Sequence, residues 1–400
     1  MSKHKTRSHA VLFILAVGVA ACSQKTEQYM IPAGSGPGVA VRADTHSNFK
    51  TIFEFDGAYG GSDPTAGLIA KGTDFYGTTT VNGLFGNGNV YRLSDGHEKV
   101  LHSFNYDGHG SNGKLLLLGE SLYGTSAGGG ARNRGTVFSV RLAGKVNWVH
   151  SFKGSPDGEY PSGPLVDLNG ALYGTTEYGG NGGACENYTC GTVFKMSTSG
   201  SENVIYNFHG GDGWGPQSGL IKINGLFYGT TKYGGQPGNG VVFSLTPAGK
   251  EEVVYAFSPE NQPSDGRFPN GLVALNGTLY GSTVLGGPHD DGTVFSVTPD
   301  GKERVLHSFG SKGDGSVPEA ALIVYKGKLY GTTSAGGTGN GTVFEVSTSG
   351  AEHVLHDFTG RTDGSTPLGS LLELNGKLYG TTSEGGATIG GAGTVYELTP

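Results

Sequence analysis

The chain has 400 residues, 75 of them Gly, with 15% charged and 10% aromatic. That much Gly excludes helical packing, while the supply of Val, Leu, Tyr and Phe excludes disorder, which leaves an all-β protein dense in turns. With 27 basic against 34 acidic residues the net charge is −7, which argues against nucleic acid and anionic lipid as partners.

The first 21 residues carry a basic segment (Lys3, Lys5, Arg7) and then an apolar run from Ala10 to Ala21. This is the pattern of a signal peptide, and it is too short for a comfortable transmembrane span. The stretch "VAAC", Val19 to Cys22, resembles the lipobox of bacterial lipoproteins. That resemblance implies that Cys22 is the lipidated first residue of the mature protein, and Ser23 after it points to the outer membrane of a bacterial envelope. Acyl chains contribute about 0.8 kcal/mol per buried CH₂, so such an anchor would hold the protein at a membrane without a spanning helix. Without residues 1–21 the chain keeps 24 basic and 34 acidic residues, a net charge of −10. Residues 22–47 are polar with aperiodic Pro and Gly and read as a flexible tether, which leaves 48–400 as the folded body.

The body is repetitive. Tyr-Gly recurs at Tyr76, Tyr123, Tyr173, Tyr228, Tyr280, Tyr330 and Tyr379, at intervals of 47 to 55 residues. The fifth copy shows the unit. Strands "GLVAL" and "TLYGST" flank Asn276-Gly277, a strong hairpin signal because both turn residues tolerate positive φ. A Gly-Gly loop, strand "TVFSV", the turn "TPDG" and strand "ERVLHSF" follow, and an Asp-Gly connector, usually trailed by Pro, leads onward. Four antiparallel strands in about 50 residues, without a helix, match a β-propeller blade. Seven copies predict seven blades.

The seventh copy supplies "SLLEL", "KLYGTT" and "TVYEL" and then ends one strand short, while "KTIFEF", Lys50 to Phe55, precedes the first copy and fits the fourth-strand pattern. Phe55, Phe104, Phe152, Phe208, Phe257, Phe309 and Phe358 form one series. The N-terminal strand is therefore expected to complete the C-terminal blade, with 50–55 hydrogen-bonded beside 394–398, so that no blade interface is left open.

The unit "LNGxLYGTTxxGGxxxxGTVFxxTxxGxxxVLHSF" resembles the Gloeo/Verruco (GloVer) tandem repeat of bacterial surface and exported proteins, a kelch-like repeat, from Lys50 to Pro400. The resemblance supports export and implies no catalytic residue. The first two copies depart most, since "AKGTDF" and "LLGESL" lack Asn-Gly.

Candidate functional residues each have a structural alternative. Asp157, Asp212, Asp265, Asp314 and Asp363 precede Gly in the connectors; a cation-binding ring is one reading, and Asx capping of each turn is favoured because no Asp-x-Asp-x-Asp run appears. His102, His150, His307 and His356 share one fourth-strand position with Tyr206, Tyr255 and Phe53, so packing is favoured over metal ligation. The Tyr-Gly tyrosines are either a sugar-stacking set or inter-blade core, and core is favoured because every copy has one. In the innermost strands, Asp167, Lys222 and Glu373 are candidate channel or ligand contacts, or else charges solvated at its rim. Cys185 and Cys190 sit where Tyr173 to Gly191 spans 18 residues against 12 for Tyr228 to Gly240. A disulfide pinning that loop is expected in an exported protein, with free thiols or a metal pair as alternatives. No catalytic triad, phosphate-binding loop, zinc set or dinucleotide fingerprint stands out, so no metal, cofactor or catalytic residue is assigned.

Together these features predict a lipid-anchored, extracytoplasmic, monomeric propeller that binds a carbohydrate or protein partner on the face carrying the longer loops, with the third blade the first place to seek contact. The alternative is an enzyme acting on polysaccharide or a small glycoside at the channel mouth.

Overall fold

A computed structural model describes residues 48–400 except 107, 110, 111, 187, 259–261, 263 and 389. The signal segment, Cys22 and the tether lie outside the described residues. The chain divides into two units, 1–35 and 36–400, and every described residue belongs to the second. Among the described residues there is no helix long and apolar enough to cross a membrane.

The body is a seven-bladed β-propeller. Blade 5 shows the pattern, with antiparallel strands Val273–Leu275, Thr278–Gly286, Thr293–Val297 and Glu303–Ser308 running from the axis outward. Blades 1 to 4 occupy 69–103, 116–151, 166–207 and 221–256, and blade 6 occupies 323–357. Blade 7 takes three strands from 372–398 and its outermost strand, Phe49–Glu54, from the other end of the chain. Its register runs from Phe49 opposite Leu398 to Glu54 opposite Thr394, as the repeat offset predicts.

The hairpins form for the expected reason: Asn276 and Gly277 have φ of 51° and 80°, and the pairs at Asn169, Asn224 and Asn375 behave alike. Blades 1 and 2 solve the same turn differently, with Gly72 (φ 64°) and Gly119 (φ 59°) as the first turn residue. In Tyr-Gly the two residues have separate tasks. Gly281 lies opposite Phe295 on the next strand, and a Cβ there would sit 2.6 Å from the Phe295 ring, so the Gly makes room for the aromatic. Tyr280 packs into the seam between blades with Phe309, Leu322, Leu329 and Phe344. The reading of these tyrosines as inter-blade core holds.

Every closing Phe is fully buried. Each also meets the third-strand ring of the following blade edge to face at 5.1 to 5.3 Å, from Phe104–Phe138 round to Phe358–Tyr396 and Phe55–Tyr91. Such contacts add to roughly 3 kcal/mol of apolar burial per ring. The outermost pair of strands carries a β-bulge in every blade, at Val294/Phe295 in blade 5 and at Thr51/Phe53 in blade 7.

Candidate functional site

The tight hairpins lie at one end of the barrel of blades. The Gly-Gly loops and the connectors lie at the other, where they pair with each other. Gly158–Glu159 pairs with Tyr178–Gly179, Gly315–Ser316 with Ala335–Gly336, and Trp214 bridges Tyr233. This long-loop face is therefore a framework of short ladders and not a fringe of free loops.

Its most unusual backbone lies just before the connector prolines. Asp63, Tyr160, Gly215, Phe268, Val317 and Thr366 occupy equivalent positions, each followed by Pro, and all have φ between 54° and 67°. For a bulky or β-branched residue this conformation is a true outlier and costs about 1 kcal/mol or more. The surroundings impose it. The N–H of Tyr160, Phe268, Val317 and Thr366 donates to a carbonyl of the preceding blade at 2.9 Å. The Pro that follows presses on the Gly opening that blade's third strand: a Cβ on Gly292 would lie 2.6 Å from Pro318 Cδ. The lock between blades thus forces a variable residue of six connectors into this conformation, strained in the five that carry a side chain, and such strain clusters where proteins bind ligands.

The displayed side chains are not uniform around the ring. Across blades 3 to 5 two of the three, Tyr160 and Phe268, are aromatic, and neighbouring positions of the connectors and loops add four more rings. Tyr178 stacks on Tyr188 with centroids 4.6 Å apart and meets Tyr160 edge to face at 5.8 Å. Trp214 stacks on Tyr233 at 4.3 Å, and Tyr233 meets Phe268 at 5.3 Å. Tyr188 is 54% exposed and the other five are half-buried, so ring faces and edges are open. Burial and the neighbouring Glu177 carboxylate push the phenols of Tyr178 and Tyr233 up, which keeps both as hydrogen-bond donors. Lys232 lies over the Tyr233 ring at 5.7 Å and Arg267 over Phe268 at 5.9 Å.

A cavity of about 360 Å³ opens beside this ridge at the axis, lined by residues that include Lys114, Glu177, Lys232, Phe268 and Glu319. Lys114 is the one charge in a ring whose equivalents are Gly67, Pro164, Gly219, Gly271, Ala321 and Ser370. It is half-buried, and desolvation pushes its ammonium down.

Asp167, Lys222 and Glu373 are exposed on innermost strands, and none of them lines this cavity. Asp167 and Glu373 accept the N–H of Gly170 and Gly376 in their own tight hairpins, at 3.1 and 2.9 Å. Cys185 and Cys190 are joined by a disulfide, with Cα atoms 5.2 Å apart, and Tyr188 stands on the short hairpin that it closes.

Two series that the sequence presents separately come together at the rim. His150, His307 and His356 lie 3.4, 3.0 and 3.3 Å from Asp157, Asp314 and Asp363, each Asp following its His by seven positions. Where Tyr replaces His, Tyr255 donates to Asp265 at 2.9 Å, and Tyr206 donates to Asp212. The same carboxylates cap their turns, as at Gly158 and Gly266, where Asp157 and Asp265 accept the N–H at 2.8 and 2.7 Å. Asx capping is therefore correct, and packing of the His is only part of its role.

Two kinds of likeness to known proteins accompany this geometry. The family model described as Gloeobacter/Verrucomicrobia repeat matches residues 31–236, 94–273 and 224–400. No curated protein matches in sequence. Among solved structures, BamB from Moraxella catarrhalis is similar at 13% identity and TM-score 0.48, over 83% of this chain and 84% of that one. A putative 6-phosphogluconolactonase from Bacteroides uniformis is similar at 15% identity and TM-score 0.48, over 74% of this chain and 84% of that one. A gluconolactonase from Xanthomonas campestris is similar at 13% identity and TM-score 0.43, over 92% and 98%.

Proposed function

The chain belongs to the Gloeobacter/Verrucomicrobia repeat family, and on that premise we propose that it is a lipid-anchored, extracytoplasmic, monomeric module that binds carbohydrate on the long-loop face of blades 3 to 5. One observation carries the reading: six half-open aromatic rings form two stacked groups beside the axial cavity, in three adjacent blades of an otherwise repetitive ring. Sugar rings offer C–H faces to aromatic planes and hydroxyls to flanking carboxylates and ammonium groups. Glu177, Lys232 and the two raised phenols supply those partners. An aromatic ridge with adaptable polar neighbours on a rigid scaffold suits an extended chain better than a small enclosed ligand. Net charge favours a neutral or basic glycan over an anionic one.

Glycan-array binding of the purified protein tests the site. Trp214→Ala and Tyr188→Ala are each expected to weaken binding about tenfold, as loss of one good stacking contact of roughly 1–2 kcal/mol implies. Glu373→Gln, on the opposite face, should leave binding unchanged. Unaltered affinity in both aromatic variants would remove this face from consideration, and turnover of a polysaccharide would favour the enzyme reading. The anchor is tested separately: Cys22→Ser is expected to move the protein from the membrane to the soluble fraction, and retention at the membrane would refute lipidation at that residue.

A further inference from the structure

We infer that the propeller carries two zinc sites, each bridging neighbouring blades: His150 and Asp157 of the blade 2 side with Glu202 of blade 3, and His307 and Asp314 with Glu352 of blade 6. In both sets one ligand atom from each residue lies within 4.8 Å of the others. His150 Nε2 is 3.4 Å from Asp157 Oδ2, and His307 Nε2 is 3.0 Å from Asp314 Oδ2. Ligands about 2.0–2.2 Å from a tetrahedral ion stand about 3.4 Å from each other, so the two His–Asp separations fit adjacent corners of one coordination sphere, and the Glu completes it by closing in from within 4.8 Å.

A second observation points to an occupant. Glu202 Oε1 and Glu352 Oε1 are buried with no hydrogen-bond partner, as are the equivalent Glu98, Glu251 and Glu303 Oε1; among the described residues, at these two seams alone the Glu also faces a His–Asp pair, across from a carboxylate of the preceding blade. The side chain of Asp314 is only 6% exposed. A buried acceptor without a donor, beside a like charge, is unfavourable, and a shared divalent cation resolves both problems at once. The nitrogen donor and the small number of oxygens suit zinc and not calcium, which takes six to eight oxygens. Three protein ligands leave a fourth position for water. Asp157 Oδ2 also accepts the Lys153 N–H at 3.1 Å, and Asp314 Oδ1 the Gly315 N–H at 2.7 Å, which fixes both carboxylates in place.

The other seams show what the alternative looks like. Tyr206 and Tyr255 take the His position and satisfy Asp212 and Asp265 directly with a hydroxyl. At the blade 6 to blade 7 seam, Phe49 stacks on His356 with centroids 3.6 Å apart and fills the place of the Glu, as Val146 does in blade 2. Among the described residues, the His, Asp and Glu set is complete at two seams.

These natural substitutions provide the test. The purified protein is stripped with chelator, given Zn²⁺ alone, desalted and analysed for metal. About two zinc ions per chain that His150→Tyr reduces by one, and His150→Tyr/His307→Tyr by two, would establish the sites; His356→Tyr should change nothing. Tyr occupies this position in blades 3 and 4, so the variants are expected to fold. Zinc held elsewhere, including at His of residues 1–47, cancels in the difference. As an independent readout, zinc should raise Tm in the wild type and lose that effect in Glu202→Gln/Glu352→Gln, which keeps side-chain shape. Equal zinc content in the wild type and the double His variant, or a full Tm rise in the double Gln variant, would overturn the inference.

Discussion

Removal of residues 1–55 is expected to abolish cooperative unfolding, and Phe55→Ala alone to lower Tm by about 4–7 °C. Phe55 is fully buried among Phe53, Leu68, Tyr91, Leu93, Tyr379 and Val395, which belong to blades 7 and 1. Its ring meets Phe53 at 5.0 Å and Tyr91 at 5.2 Å. Truncating such a side chain costs about 3–5 kcal/mol, and for a body of roughly 350 residues the unfolding entropy converts this to the stated range. Deleting the whole strand goes further, because it strips the ladder from Thr394–Leu398 and opens the seam that closes the ring. Thermal unfolding by circular dichroism, with size-exclusion chromatography for the truncated form, reads both effects. A truncated protein that stays monomeric with an unshifted Tm would mean that the ring does not depend on its clasp.

Stability is expected to fall as pH rises from 5 to 8, by a few kcal/mol in total. Burial and a facing Asp raise Glu98 to about 8 and Glu251 and Glu303 to about 7, with Asp56, Asp212 and Asp265 across the respective seams. The sign follows from linkage. Below pH 4.5 these groups are protonated in both states, whereas between 4.5 and 7–8 the folded protein keeps protons that the unfolded chain has released, so each pH increment favours unfolding. Undiscounted shifts of this size would give over 3 kcal/mol per group; partial solvation brings this to about 1 kcal/mol each. Asp363 acts at the other end of the scale: its hydrogen bonds to His356 and Thr359 outweigh burial and hold it at about 2, and its contribution is lost only as pH falls through that value. Urea unfolding in chelator at pH 5, 6.5 and 8 should show a falling midpoint, and Glu98→Gln/Glu251→Gln/Glu303→Gln should flatten the profile. A midpoint that climbs toward pH 8 would show that these carboxyls ionise freely.

The fold was legible because its determinants are local and repeated. Asn276-Gly277 fixes a turn, Tyr280-Gly281 fixes a ring in a seam and a space opposite Phe295, and Phe309 marks where a blade ends. The strand offset at Lys50 to Phe55 was visible because that segment matches six others. The aromatic ridge was less legible. Tyr178 and Tyr233 share a repeat position, as do Tyr160 and Phe268, but Trp214 and Tyr188 do not, and only pairing of connector with loop brings them side by side. The strained conformation at Tyr160, Phe268 and Val317 runs against the preference of those residue types, so tertiary hydrogen bonds had to be seen before it could be assigned. The seven-residue spacing from His150 to Asp157, repeated at His307 and His356, was a usable signal; Glu202 and Glu352 come from the following blade, and only the packing of neighbouring blades puts them there.

The bulge in each outermost strand has an effect beyond the single blade. A propeller solves its internal seams but still turns seven strand edges toward solvent, and a flat edge offers hydrogen-bonding groups that a neighbouring molecule could extend. Leu306 and its six counterparts interrupt that pattern at its midpoint, twisting the edge away from the geometry that a second chain would need. A guard against sheet-to-sheet pairing is thus written into the same "VLHSF" segment that seals the core.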